Sequence, residues 1–588
     1  MKALAATFRR LWFVFVLLFI GAVAVALLEL VPPLLLKTII DSYLNAGRLD
    51  GIWLMAAYYV LTSVGASFIG FGQAFINSYL GQNLVLELRF AMADHLTKLP
   101  LSYYSRNPLG DTMSRLTSDA ETVSALFSQS GGGGGGMGLS NLPVDVIKII
   151  AILIAMFALS PGLALIVLAA VPVVYFASNY FRQNTYRTQL QVRRTVGAIN
   201  AFLQETFSGI RILKAYGKES QYDGYFQKPL EDNLQASNSS AVYDAYFPGV
   251  MQIIRAVTIA VVVWFGAKTG LDERLAISIG GLAAMADLIG RLFTPIEALA
   301  LEFQTLQRAM AGLKRISELL AEETEERGTA QRISPVNLAR RDGNVTEIRN
   351  ISFSYQPGKP VLKNVSLFVP RGRKIAIVGR TGAGKTTLLN LVAGLYTSDE
   401  GSISVLGFNP YHVDPRDRRK LLGVVPQRVH LFEGTIRENI TLRDEQISLE
   451  AIEKATKMVG LHEYIIGLEK GYDTFIGVAG TSLSFGQSQL LSLARAIVSD
   501  PALLLLDEPT SGMDAVTEAT IFSAFRNISK DRTLITISHR LSGIVDADEV
   551  HIMASGRIVQ SGTPEKLAGE SGWYSVFHQL EGLGWKMD

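Results

Sequence analysis

At 588 residues the chain exceeds the size of one hydrophobic core, so we expect two or more domains. A net charge of +2 lacks the strong basic excess of a nucleic-acid-binding surface, so we predict no nucleic-acid partner. Cysteine is absent, which excludes disulfides and thiolate metal sites. Nearly all long apolar runs precede residue 303 and most charge follows it, which predicts a membrane half and a soluble half.

The first half contains six apolar segments, each long enough to cross a lipid bilayer as a helix. They lie near residues 11–36, 52–78, 142–160, 162–181, 247–268 and 275–300. The first is far longer than a signal-peptide core, so we interpret it as a retained spanning helix. Long loops at 81–140 and 183–240 hold eleven Lys and Arg residues, against four in the loops on the other side, which predicts that they and both termini are cytoplasmic. Their helix-forming composition predicts helices that continue beyond the bilayer.

Ionisable side chains fall inside these apolar runs: Glu29, Asp145, Lys148, Arg255, Asp287 and Arg291. Charges at this depth are costly and usually face a cavity or a partner, so they could line a polar translocation path. The structural alternative is that Asp145 and Lys148, three residues apart on a helix, neutralise each other and that Arg291 extends to an interface. Both alternatives stay open for Arg255 and Asp287, and the structural one is favoured for the others.

Six consecutive glycines at positions 131–136 directly precede the third apolar segment. Each glycine costs ~1 kcal/mol in a helix, so the run predicts a break, as a hinge or a flexible loop. We assign it no function.

From about residue 345 the pattern becomes that of an α/β domain. A short apolar strand leads into G-x-x-x-x-G-K-T at 379–386, and an apolar helix follows. The glycines allow backbone amides and the helix N-terminus to face phosphate oxygens. Lys385 would reach the β- and γ-phosphates of a nucleotide, and Thr386 would offer its hydroxyl to Mg²⁺. The predicted nucleotide-binding residues of this loop are Gly379, Arg380, Thr381, Gly382, Ala383, Gly384, Lys385, Thr386 and Thr387.

Two later strands end in residues that suit phosphate chemistry. The apolar strand at 502–506 ends in Asp507 and Glu508, which alternation places on opposite faces. We predict that Asp507 holds Mg²⁺ and that Glu508 deprotonates the attacking water. A strand at 533–538 ends at His539, where the ligands of parallel sheets gather, so we predict contact with the γ-phosphate.

With these residues the chain resembles the ABC transporter superfamily, specifically exporter-type half-transporters. Tyr355 resembles the aromatic residue that stacks on adenine, and Gln427 resembles the Q-loop glutamine that touches Mg²⁺. The sequence Leu-Ser-Phe-Gly-Gln at 483–487 resembles the signature loop, whose contacts would be Ser484, Gly486 and Gln487. Asp514 lies in a segment similar to the D-loop, and segments 115–123 and 209–219 are similar to coupling helices.

The resemblance implies an α plus α/β architecture. A transmembrane domain of six helices would occupy 1–320, a linker 321–344, and a P-loop ABC nucleotide-binding domain 345–588. Two such cassettes would hold each ATP between one P-loop and the other signature loop, and their closure would reorient the membrane helices. The implied activity is ATP hydrolysis coupled to export of hydrophobic or amphipathic compounds across the cell membrane. A lipid flippase or importer on the same fold stays open.

The signature departs from the family's Leu-Ser-Gly-Gly-Gln at Phe485. A Phe adds bulk and restricts φ where backbone amides should approach the γ-phosphate held by the other cassette. Two identical copies would contain two impaired sites. We therefore predict a heterodimer with a second ABC half-transporter that has an intact signature, in which the site carrying Glu508 does most of the hydrolysis. A homodimer that tolerates Phe485 is the alternative.

Overall fold

The computed structural model describes residues 2–45, 47, 50–124, 142–269, 277–325, 332–333, 343–477, 480, 483–507, 515–530, 532–538 and 547–582. The chain divides into two compact units, Met1–Leu99 with Asn107–Thr324, and Pro100–Arg106 with Glu325–Asp588. The glycine run at 131–136 and the predicted site residues Glu508, Asp514 and His539 lie outside the described residues. The domain boundaries at 320 and 345 stay predictions.

Long helices form the N-terminal half of the chain. In chain order they are α1 Lys2–Thr38, α2 Ile52–Thr97, α3 Leu101–Arg106, α4 Leu109–Ser114, α5 Ala120–Ser124, α6 Leu142–Leu159, α7 Pro161–Ser208, α8 Ile210–Tyr216, α9 Glu219–Thr269 and α10 Ile279–Ala321. Two π-helical turns occupy Ile39–Leu44 and Arg115–Asp119. Helices α2, α7 and α9 have 46, 48 and 51 residues. Each is therefore about 70 Å long, more than twice the hydrocarbon thickness, as the composition of the long loops predicts.

Within the described part of the chain, five helical stretches are long and apolar enough to cross a membrane. They are Trp12–Leu44, Ile52–Thr97, Pro161–Ser208, Glu219–Lys268 and Ile279–Glu297. Helix α6 occupies the place of the predicted third span but is not among these five, so the number of six spans stays a prediction.

The helices of the membrane unit share contacts throughout. Helices α7 and α9 run along each other, α1 contacts α2, α6 and α10, and α10 also contacts α6, α7 and α9. Helix α10 supplies much of the buried core through Met285, Leu288, Ile289, Leu292 and Phe293, all about fully buried. Helices α1, α6 and α10 hold most of the intramembrane charges considered below.

The C-terminal half alternates strands and helices. The strands are β1 Asn344–Phe353, β2 Leu362–Pro370, β3 Lys374–Val378, β4 Glu400–Val405, β5 Leu422–Val425, β6 Gly434–Thr435, β7 Phe475–Ile476, β8 Leu503–Asp507, β9 Thr533–Ile537, β10 Glu549–Ala554 and β11 Arg557–Gly562. The helices are α11 Lys385–Val392, α12 Pro415–Leu421, α13 Ile436–Thr441, α14 Leu449–Met458, α15 His462–Ile466, α16 Phe485–Ile497, α17 Ala515–Ser529, α18 Pro564–Gly569 and α19 Trp573–Gly582.

The central sheet of this unit has the strand order β11-β10-β3-β9-β8-β5. Strands β10, β3, β9, β8 and β5 are parallel, and β11 is antiparallel to β10. A second, antiparallel sheet has the order β2-β1-β4 and shares one buried cluster with the first. Because the carboxyl ends of parallel strands meet at one edge, the residues that follow β3, β9, β8 and β5 gather there, where ligands bind in such sheets.

Candidate nucleotide-binding site

The loop between β3 and α11 depends on glycine at three positions. Gly379, Gly382 and Gly384 have φ values of +153°, +82° and +100°. A Cβ on Gly379 would lie 2.2 Å from the carbonyl oxygen of Met553, and one on Gly384 would lie 2.8 Å from Leu362 Cδ2. A Cβ on Gly382 would meet no described atom within 4 Å. Gly379 and Gly384 therefore serve close packing as well as backbone conformation, whereas Gly382 serves conformation alone.

Lys385 holds this loop from the inside. The side chain is buried, and its Nζ donates hydrogen bonds to the carbonyl oxygens of Gly379 at 2.7 Å and Arg380 at 3.2 Å. The ammonium therefore lies at the centre of the turn. Nothing in the spacing of the motif predicted these two carbonyl contacts.

The outer side of the loop suits a phosphate group. Arg380, Thr381, Gly382 and Thr386 are exposed there, whereas Ala383 is buried. Helix α11 begins at Lys385, so its first N–H groups have no acceptor within the helix and carry its positive end. Exposed donors around a buried ammonium fit the phosphates of a nucleotide, as the sequence predicts.

The sheet places the other candidates at the edge where this loop lies. Ile377 of β3, Ile537 of β9 and Asp507 of β8 are consecutive register partners across the sheet. On the next strand Val425 pairs with Leu506, and Gln427 follows two residues later with an exposed side chain. Asp507 is buried at the end of its strand. The carboxylate of Asp507, the Gln427 amide oxygen and the Thr386 hydroxyl are the hard oxygen ligands that Mg²⁺ prefers.

Tyr355 lies beyond β1 in an aromatic cluster. Its ring stands nearly perpendicular to those of Phe353 and Tyr396, with centroids 4.9 and 5.3 Å away. Its hydroxyl donates to Thr387 Oγ1 on α11 at 3.3 Å, and the side chain is 37% exposed. The ring is thus fixed beside the phosphate-binding helix with one part open to a ligand. The sequence reading missed Tyr396, which has no local signal because it is 41 residues from Tyr355.

The signature segment forms the start of helix α16. The Ser484 N–H donates to Gln487 Oε1 at 2.9 Å, and the Gln487 N–H donates to Ser484 Oγ at 3.2 Å, which is a capping box. Phe485 is the first residue of α16 and adopts a helical backbone. The restriction that Phe485 places on φ therefore has no cost in this backbone, because a helical conformation is open to any residue. The difference from a Gly at this position is therefore the bulk of the Phe485 ring. The ring is 54% exposed and lies beside the buried Gly486.

Comparison with known proteins agrees with this geometry. Two family models match, the ABC transporter transmembrane region over residues 15–296 and the ABC transporter over 362–511. The probable multidrug resistance ABC transporter ATP-binding/permease protein YheH of Bacillus subtilis is 31% identical, covering 91% of this chain and 77% of that protein. The chain belongs to the ABC transporter family.

A curated relative bears on the activity of the transporter, and a solved structure bears on its fold. An ATP-dependent lipid A-core flippase of Syntrophus aciditrophicus is 31% identical over 96% of this chain and 91% of that protein. The solved structure of a bacterial Atm1-family ABC exporter with ATP bound has a TM-score of 0.75, with 24% identity over 98% of this chain and 99% of that one. The transporter therefore has an exporter-type fold in a membrane-spanning chain and couples ATP hydrolysis to transport.

The ion pairs of the membrane unit differ from the spacing-based expectation. Lys148 Nζ on α6 lies 2.9 Å from Glu29 Oε1 on α1, so its hydrogen bond goes to Glu29 and not to Asp145. The expectation that Asp145 and Lys148 neutralise each other as a pair is therefore incomplete, because the Lys148 ammonium is hydrogen-bonded to Glu29. The physical reason is that α1 packs against α6 and brings a second carboxylate within reach.

The remaining intramembrane charges are paired on or near α10. Arg291 Nε lies 3.1 Å from Asp287 Oδ2 one helical turn away, so Arg291 has a local partner. A nitrogen of Arg255 lies 3.8 Å from Glu297 Oε1 across the contact between α9 and α10. The sequence reading missed Glu297, because a single carboxylate near the end of an apolar run does not indicate its partner.

Proposed function

We propose that the transporter exports hydrophobic or amphipathic compounds across the plasma membrane, with both termini in the cytoplasm. One observation supports this best: a single chain combines long membrane helices with an ATPase cassette in an exporter-type fold. In the cassette, the P-loop, Asp507 and Gln427 lie at one edge of the central sheet. ATP-dependent uptake of an amphipathic dye into inside-out vesicles tests the direction. Dye release in place of uptake would contradict export.

A second candidate function is lipid flipping. The flippase relative covers nearly the whole chain, which favours a lipid as the transported molecule. In proteoliposomes with a fluorescent phospholipid in one leaflet, a flippase would move the label to the other leaflet when ATP is added. Dye uptake without lipid movement would favour the first proposal, and lipid movement without dye uptake would favour the second.

We assign the following roles at the ATP site. When bound, ATP with Mg²⁺ supplies the phosphoanhydride whose hydrolysis drives transport. Lys385 and the α11 N-terminus balance phosphate charge, and Tyr355 packs against adenine. The Mg²⁺ ligands are Thr386, Gln427 and Asp507. Glu508 acts as the base toward water, and His539 contacts the γ-phosphate.

Glu508→Gln tests the assignment of the base. We expect turnover to fall by about 10²-fold or more, because general bases contribute ~10²–10⁴-fold, while ATP affinity stays within about twofold. Affinity persists because binding rests on Lys385 and Tyr355. The matched control is Glu469→Gln, which makes the same change on an exposed residue of the same unit and should leave both quantities unchanged. Wild-type turnover in Glu508→Gln would reject Glu508 as the base.

We further propose that the working assembly is a heterodimer. The argument rests on the exposed ring of Phe485, which lies where the signature segment would present Ser484, Gly486 and Gln487 to nucleotide on the other cassette. Asp514 would contribute to the same interface. An intact Leu-Ser-Gly-Gly-Gln on the other chain would complete the site that contains Glu508.

Phe485→Gly separates a heterodimer from a homodimer. We expect slow turnover by the chain alone and fast turnover by its complex with a half-transporter that carries Leu-Ser-Gly-Gly-Gln. In the chain alone, Phe485→Gly should raise turnover because it repairs both sites, whereas in the complex it should have little effect. Fast turnover by the unaltered chain alone would establish the homodimer.

A further inference from the structure

A polar cavity lies within the membrane unit among helices α1, α2, α6 and α10. Its volume is about 370 Å³, which falls in the range of small-molecule sites. Its polar lining includes Glu29, Gln73, Asn77, Asp145, Lys148 and Arg291. Apolar side chains, among them Val25 and Leu28, complete the wall.

The cations of this cavity already have carboxylate partners. Lys148 lies 2.9 Å from Glu29, and Arg291 lies 3.1 Å from Asp287. Asp145 is the lining carboxylate that forms an ion pair with neither cation. Counted with Asp287, which lies outside the lining, the group has three carboxylates against two cations.

The Asp145 side chain also carries a buried hydrogen-bond acceptor that lacks a donor. Asp145 is 6% exposed and Asn77, which lines the same cavity from α2, is 5% exposed. In the part of the chain that the structure describes, Asp145 Oδ2 and Asn77 Oδ1 have no hydrogen-bond partner. Buried acceptors without a hydrogen-bond donor are costly and rare. A ligand that donates hydrogen bonds to them would therefore bind more favourably. An ammonium group supplies several N–H donors and the missing positive charge together.

We propose that Asp145, with Asn77, binds the protonated amine of an amphipathic substrate, whose hydrocarbon part contacts the apolar wall. The inference rests on the proposed export function and deepens it by naming the charge class of the substrate. An anionic head group would instead meet the surplus carboxylate and would be repelled by it.

Binding of dodecylamine tests the proposal, with dodecanol as the neutral probe of equal chain length. The full-length transporter, in the assembly it forms, is placed in phosphatidylcholine nanodiscs without nucleotide, and protein-free nanodiscs give the lipid background. In Asp145→Asn, which keeps the shape of the side chain, we expect the Kd for dodecylamine to rise about tenfold or more. The Kd for dodecanol should change less than about twofold. Asp94→Asn is the matched control because it neutralises an exposed carboxylate on α2, and it should bind dodecylamine normally.

Two outcomes would overturn the proposal: an unchanged dodecylamine Kd in Asp145→Asn, or an equal loss for both probes. Asn77→Leu provides an independent test if Asp145→Asn does not assemble, since it removes the second acceptor without changing charge and should also weaken dodecylamine selectively. Unchanged binding in Asn77→Leu would then count against the site. If vesicles transport the dye but the dodecylamine Kd is unchanged in Asp145→Asn, this inference fails and the export proposal stands. If amine binding depends on Asp145 but no transport occurs, the export proposal fails and the site stands.

Discussion

Replacing Gly379 by Ala separates the packing role of a P-loop glycine from its conformational role, with Gly382→Ala as the matched variant. Both positions have positive φ, so each new Cβ incurs the backbone penalty of ~1–2 kcal/mol. Only at Gly379 would the Cβ also lie 2.2 Å from the Met553 carbonyl oxygen, which is backbone of β10 and cannot rotate away. Such overpacking costs a further ~1–3 kcal/mol. We expect a loss of ~2–5 kcal/mol in the free energy of unfolding for Gly379→Ala, against ~1–2 kcal/mol for Gly382→Ala.

Thermal unfolding of the purified full-length transporter without nucleotide measures this difference. Without nucleotide, contacts between the loop and phosphate do not contribute, so the comparison reports packing against β10 alone. The midpoint should fall further in Gly379→Ala than in Gly382→Ala. Addition of ATP with Mg²⁺ should raise the wild-type midpoint but leave that of Gly379→Ala almost unchanged, because the displaced loop no longer presents its amides. Equal midpoints for the two variants would refute the steric argument.

Two other predictions concern the cassette. Tyr355→Ala should weaken ATP binding about 5- to 150-fold, because stacking contributes ~1–3 kcal/mol. Tyr355→Phe loses only the 3.3 Å hydrogen bond to Thr387, so its ATP affinity should stay within about threefold of wild type. Equal losses of affinity for the two variants in a fluorescent-nucleotide titration would contradict stacking. Burial lowers the pKa of His551, and the nearby Glu549 carboxylate opposes this shift in part. Below about pH 6.5 the unfolded chain therefore binds more protons than the folded one, so the free energy of unfolding decreases as the pH falls. His551→Gln, which can still form a hydrogen bond to Ser561, should reduce the change in denaturation midpoint between pH 7.5 and 5.5. The same pH dependence in wild type and variant would contradict the prediction.

The glycine spacing at 379–386 predicted the strand, the loop and helix α11, because each of these depends on local backbone chemistry. The strand ending at Asp507 was likewise predicted from its apolar run. The conformation of Phe485 was not, since the capping box between Ser484 and Gln487 places it inside a helix. Comparison of a sequence with a family motif shows which side chain has changed, but it does not show the backbone conformation at that position.

The sequence by itself determined which class of fold the chain adopts and which residues form the phosphate-binding loop, because apolar run length and glycine placement act within a few residues of chain. The tertiary structure decided the partners of charged and polar side chains. Lys148 bonds to Glu29, 119 residues away, although Asp145 is three residues away on its own helix. Helix packing brings distant side chains to hydrogen-bond distance, and the geometry of that contact decides to which of two nearby carboxylates the partly buried Lys148 bonds. Asp145, the carboxylate that Lys148 does not bond, lines the cavity among α1, α2, α6 and α10 together with Glu29.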